Sequence, residues 1–243
     1  MNKSLFIQSF KANWKIWMVV TAVMCLLVAQ FAAMESGIGD FTTSIFYGMM
    51  SVIVPIIYVV VVANNLVARQ VDDGSMAYVL SSPIKRRDVM ITQSLYLTLT
   101  IFVTFFLTML THIIVKASVG ANSVTYSEII YLNIGSMLAT MAVAGLCFMF
   151  SAIFNRSKYS IGCGGMMSVF FILMSMMAMF GGMSPSMKAL SNFKYVTLLS
   201  LCDNASILSC DSIWIIKAGI LLIITILSYA IGSIWFSKKN LPL

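Results

Sequence analysis

Few residues in this 243-residue sequence are equipped for chemistry, and most of them crowd one stretch. Between Ala68 and Asp88 stand Arg69, Asp72 and Asp73, then Tyr78 and Leu80, then Lys85, Arg86 and Arg87. The chemistry such a set supports is recognition. Opposite charges flank an aromatic and an aliphatic anchor, the residue types that dominate interface energies. Gly74 and Ser75 sit between the acids and the anchors, and Pro83 separates the anchors from the cations. Glycine there permits a close backbone approach or a φ that other residues resist.

The rest of the inventory is thin. His112 is the single histidine, and with no histidine or carboxylate nearby it reads as an interfacial hydrogen-bonding residue rather than a ligand. No Gly-x-x-x-x-Gly-Lys-[Ser/Thr] occurs, so the chain has no nucleotide loop of its own. Of five cysteines, Cys25, Cys147 and Cys163 fall in apolar segments and read as packing residues. Cys202 and Cys210 share one loop, where pairing and remaining reduced are both open. Methionine is abundant, 20 in all, and Met166, Met167, Met174, Met176, Met177, Met179, Met183 and Met187 crowd one region. A thioether path for copper would want cysteine or histidine beside it, and only Cys163 is near. The favoured reading is a soft, adaptable apolar wall of Met166, Met167, Phe170, Met174 and Met177, suited to bulky or amphipathic cargo if it faces a cavity.

The elements that must position these residues are membrane helices. The chain is 60% apolar and 9% charged, whereas soluble domains carry roughly 25% charge. Six apolar stretches are long enough to span: about 16–34, 46–67, 89–115, 129–154, 159–180 and 213–236. The first is too long for a signal-peptide core. Residues 1–15 read as an interfacial elbow helix, because Phe6, Phe10, Trp14 and Trp17 recur at helical spacing beside Lys3, Lys11 and Lys15. The third stretch would make about 40 Å of helix, which must tilt or project from a roughly 30 Å core. Gly135 with Ala139, and Ser136 with Thr140 and Ala144, mark close helix contacts in the fourth span, as do Gly162, Gly164 and Gly165 in the fifth.

The polar stretch lies between spans two and three. Residues 70–81 fit about three helical turns, with Val71, Met76, Val79 and Leu80 on an apolar side and Asp72, Asp73 and Ser75 on a polar one. Pro83 stops that helix. Residues 181–212 are too apolar for a simple loop and too polar for a span, which suggests a re-entrant or surface helix on the other face.

Sidedness follows from lysine and arginine. Lys3, Lys11, Lys15, Arg69, Lys85, Arg86, Arg87, Arg156, Lys158, Lys238 and Lys239 fall on one side, against Lys116, Lys188, Lys194 and Lys217 on the other. Both termini are therefore expected in the cytoplasm. The net charge of +7 belongs to an anionic leaflet and an inner-face partner rather than to nucleic acid. Apart from Lys217 near the start of the sixth, no span so bounded holds Asp, Glu, Lys or Arg, which argues against a proton- or ion-coupled carrier and against intramembrane acid–base catalysis.

The stretch from Asp72 to Arg86 resembles the first cytoplasmic loop of type-2 ABC exporter permeases. That pattern has an acidic residue, Gly followed by Ser or Thr, an apolar pair, Ser or Thr, Pro and Arg. It is matched here by Asp73, Gly74, Ser75, Val79, Leu80, Ser82, Pro83 and Arg86. A second match is Phe193-Lys-Tyr-Val-Thr-Leu-Leu-Ser200, before the last span.

The resemblance implies an all-α membrane protein of six transmembrane helices. A short coupling helix would lie between spans two and three, and an outer helix before span six. It implies a permease subunit, not itself an enzyme, working with two copies of a cytoplasmic ABC ATPase that bind ATP and Mg. A second copy of the chain or a paralogue would complete the pair in a bacterial plasma membrane. The ATPase-coupling interface would comprise Arg69, Asp72, Asp73, Gly74, Ser75, Tyr78, Leu80, Pro83, Lys85, Arg86 and Arg87. Gram-positive permeases with a loop of the Gly-Ser-Met-Ala-Tyr type point to export of, or immunity to, amphipathic peptides, including cytolytic and antimicrobial ones. Two readings stand beside this one: a stand-alone channel or carrier, and a non-transporting immunity or scaffold protein.

Overall fold

The computed structural model describes residues 3–81, 84–120, 124–183, 190, 192–193, 197–201 and 213–239. Six helices among them are long and apolar enough to cross a membrane, and no strand occurs among the described residues. The all-α membrane class expected from composition is the class observed.

The first span belongs to one unbroken helix, α1, Lys3–Ile38. The separate elbow expected over residues 1–15 does not form, because nothing between Lys3 and Ser36 breaks a helix. The N-terminal stripe divides accordingly. Phe10 and Trp14 face outward, while Phe6 packs edge-on against Tyr96. The buried face instead carries Leu5, Ser9, Asn13, Thr21, Met24, Val28, Ala32 and Glu35, spaced three or four apart once half-buried Trp17 is placed between Asn13 and Thr21. Gly37 and Gly39 close the helix, the latter at φ +79.

Span two follows as α2, Asp40–Ile45, one π-helical turn, Phe46–Met50, and α3, Ser51–Leu66, with Pro55 inside. Val67, at φ −131 and ψ −70, breaks the helix. Two short helices come next, α4, Ala68–Asp72, and α5, Ser75–Ser81. The expected single helix over 70–81 is thus two pieces, since Gly74 adopts φ +72 between them. Then come α6, Arg86–Val119, α7, Tyr126–Ile153, and α8, Ser157–Met183. A 3-10 turn, Leu198–Leu201, and α9, Ile213–Lys238, complete the order. The outer helix expected in 181–212 lies largely outside the described residues, as do Cys202 and Cys210.

α7 is the central post and is buried on nearly every side. α1 lies along α6, and polar side chains tie the two together. Ser9 donates to Gln93 Oε1 at 2.8 Å, Trp17 Nε1 to Thr104 Oγ1 at 3.0 Å, and Thr21 and Thr104 hydroxyls share a bond at 3.0 Å. From α3, Tyr58 donates to Thr100 Oγ1 at 2.8 Å, and Ser51 to Ser136 Oγ at 3.1 Å. Without a hydrophobic force between helices in lipid, such bonds and close packing hold the bundle.

The small residues expected at contacts in α7 are buried. Gly164 meets Cys147, Gly165 meets Val60, and Gly162 faces open space. Cys147 is buried but Cys163 is exposed, so only the former is a packing residue. The tightest approaches are elsewhere. A Cβ on Gly145 of α7 would sit 3.1 Å from Ser228 Cβ and from Thr225 O of α9, and one on Gly232 would sit 3.2 Å from Met149 Cα.

Candidate functional site

The corner formed by α4 and α5 is bolted to the bundle from beneath. Val71 and Met76 are buried. The Ala68 N–H donates to Ser151 Oγ at 3.0 Å, satisfying an amide freed by the break at Val67. Asp72 reaches the next loop at this end, where its Oδ2 accepts the Ser157 N–H at 3.1 Å and caps α8. Asn64 donates to Ser157 Oγ at 2.7 Å from the last turn of α3. Residues 67–72 and the start of α8 are therefore one structural piece.

Above this base the other candidate residues divide. Arg69 pairs with Asp73 at 3.5 Å, both exposed. Ser75 donates to the Gln70 carbonyl at 3.2 Å, closing the turn at Gly74. Tyr78 projects outward, 84% exposed. The Leu80 side chain and Pro83 lie outside the described residues. The three consecutive cations, expected to act together, are separated. Lys85 is exposed at the N-cap of α6. Arg86 Nη1 donates to the Lys239 carbonyl at 2.8 Å. Arg87 turns into a groove against α9.

Lys239 closes the same end of the bundle. Its Nζ donates to the Ala152 carbonyl at 3.2 Å and to that of Ile153, placing a cation at the C-terminus of α7. Burial holds its ammonium below the usual lysine value. The resulting surface has a fixed base and an exposed Asp73, Ser75, Tyr78 and Lys85.

The expected Met wall is split between two faces of α8. Met166 is 78% exposed and Phe170 is exposed beside it, whereas Met167 packs on the core and Met174 and Met177 are half-buried.

At the opposite end lies a polar cluster that sequence reasoning missed. Glu35 is 2% exposed and accepts from the Val124 N–H and from Thr43 Oγ1, each at 3.2 Å. His112 Nε2 stands 3.8 Å from its Oε2, and Nδ1 shares a hydrogen bond of 3.0 Å with the Tyr47 hydroxyl. Lys116 is buried nearby, its Nζ 4.8 Å above the Tyr126 ring. His112 is therefore not the isolated interfacial residue expected. The spans also hold ionisable groups, because α1 and α6 run past their apolar limits and carry Glu35 and Lys116 inside. Their presence removes one ground for excluding a proton- or ion-coupled carrier. The signal available was spacing, since Glu35 continues the buried α1 series Met24, Val28, Ala32.

Among described residues no three His, Cys, Asp or Glu side chains group to hold a metal ion. No curated protein matches this chain. A family description, ABC-2 family transporter protein, matches residues 15–241, taking in the α4–α5 corner and the helices that carry it. The chain belongs to the ABC-2 transporter family, as a multi-pass membrane permease subunit of an ABC transporter.

Proposed function

We propose that this permease drives export of an amphipathic cargo when an ABC ATPase pushes on the α4–α5 corner. Family membership implies the ATPase partner. The observation that carries the reading is Tyr78, a large side chain held 84% exposed on a base fixed by buried Met76 and the Asp72–Ser157 cap. A flexible loop would lose force to its own motion, and a clamped corner passes it to α3, α6 and α8. Asp73, Ser75 and Lys85 complete the docking face, and Arg69 is held beside Asp73. ATP and Mg belong to the ATPase. Two ATPases serve two membrane chains, and the outward face of α8 with Met166 and Phe170 offers soft apolar surface to peptide-like cargo. A stand-alone carrier would want its ionisable groups on a path. Glu35 and His112, 2% and 1% exposed, are walled in.

Tyr78→Ala tests the reading. It should remove an anchor of about 2 kcal/mol, roughly thirtyfold in ATPase affinity. Membrane abundance should stay normal while ATPase co-purification weakens and export is lost. Unchanged ATPase capture and transport in both Tyr78→Ala and Asp73→Ala would overturn the docking assignment. Sidedness is tested separately by reporter fusions. A fusion at Asn240 should read inside and one at Gly120 outside, as the asymmetry of lysine and arginine requires. A C-terminal reporter active only outside would reverse the topology.

A further inference from the structure

A groove of about 520 Å³ lies between the first turns of α6 and the last turns of α9. Its lining changes character with depth. Arg87 and Lys238 stand at the two helix ends, while Ile91, Ile234 and Tyr229 lie further into the span. At 1.5 Å of rise per residue, Ile91 is about 6 Å and Tyr229 about 13 Å below the cation on its own helix. The mouth is held together by the hydrogen bond from Arg86 to the Lys239 carbonyl, which fixes the residues flanking it.

The four cations at this mouth have different duties. Arg86 and Lys239 are engaged with backbone carbonyls. Arg87 and Lys238 form no ion pair among the described residues, and no carboxylate lines the groove. Ser94 and Ser237 turn their hydroxyls to carbonyls of their own helices, and Arg87 and Lys238 are the charged donors among the groove's lining residues. Outward from the groove α9 is apolar, with Ile223, Ile226, Ile231, Ile234 and Trp235 exposed as a lipid-facing surface is.

Two cations above an apolar channel at a membrane surface match one class of ligand. We propose that the groove binds an anionic glycerophospholipid, its phosphodiester between Arg87 and Lys238 and an acyl chain along Ile91 and Ile234. Inorganic phosphate has no part that uses the channel. A phosphatidylcholine headgroup brings a quaternary ammonium against the two cations. Selectivity for the anionic headgroup is therefore the property that defines the site, with each interfacial cation adding roughly a fivefold preference.

The test uses the full chain purified in detergent and two fluorescent lipids that share one labelled acyl chain, phosphatidylglycerol and phosphatidylcholine. Phosphatidylglycerol should be retained about twenty-fivefold more tightly. Arg87→Gln with Lys238→Gln should abolish the preference. Lys85→Gln with Lys158→Gln, which removes two exposed cations from the same end outside the groove, should preserve it. Ile234→Trp keeps both cations and fills the channel at an exposed position, so it should also lose retention without disturbing the fold. Millimolar inorganic phosphate should not compete. Equal retention of the two lipids, loss in the Lys85/Lys158 control, full retention in Ile234→Trp, or displacement by phosphate would each overturn the site.

Discussion

Glu35→Ala is expected to destabilise the bundle by about 3 kcal/mol, the effect of leaving several buried polar groups without their partner. Three groups lose their partner together. The Val124 N–H and the Thr43 hydroxyl lose their acceptor, and His112 loses the carboxylate at 3.8 Å. Bulk solvent cannot stand in for the lost acceptor, since Glu35 and His112 are 2% and 1% exposed. Glu35→Gln keeps an acceptor oxygen and should cost less than half as much. Thermal unfolding of the detergent-purified chain, followed by loss of the monodisperse peak, reads the difference. An Ala variant as stable as the parent would show that the cluster contributes nothing to holding α1, α6 and the start of α7 together.

The second large effect is at the contact between α7 and α9. Gly145→Ala puts a methyl 3.1 Å from Ser228 Cβ and 3.1 Å from the Thr225 carbonyl oxygen. The second of these is backbone and cannot swing aside, so the helices must separate. Overpacking of this kind costs about 1–3 kcal/mol for the methyl, and Gly145→Leu should prevent assembly. Gly219→Ala supplies the comparison. It lies on α9 with open space around its Cβ position, and there the better helix propensity of alanine should leave stability unchanged or slightly raised. Equal unfolding temperatures for Gly145→Ala and Gly219→Ala would remove the close contact from the account.

The contrast between these two sites and the rest shows what a single sequence can carry. Six spans were legible because apolar length is a local property, but the turn at Gly74 was not, since one helix was expected across it and only its φ of +72, nearly a glycine privilege, divides α4 from α5. The helix ends were less so. Charged residues were read as boundaries, yet α1 continues through Glu35, and α7 begins at Tyr126 because Thr125 and Glu128 form a capping box. The error at the ends is why the Glu35–His112 pair was invisible, since it joins residues that the expected boundaries placed in a loop and near a span end. Gly145 and Gly232 were unreadable for another reason. Their closeness depends on how α7 and α9 are rotated against each other, and both helices are apolar all round. In the candidate site, residue types marked the place. They did not foretell that Asp72 would cap α8 or that Arg86 and Arg87 would part company.

The polar seam between α1 and α6 sets a timetable for biogenesis. Ser9 waits for Gln93, 84 positions later, Trp17 waits for Thr104, 87 later, and Thr21 waits for the same Thr104, 83 later. A ribosome adding roughly 5–20 residues per second takes about 4–17 seconds to make that much chain. For that interval the first helix sits in or beside the insertion machinery with its buried polar stripe unmatched, held in the bilayer by its opposite flank of Ile7, Val19 and Leu26. The seam closes only when the third span arrives, so a nascent chain that stalls before residue 93 has a first helix with nothing to pair against.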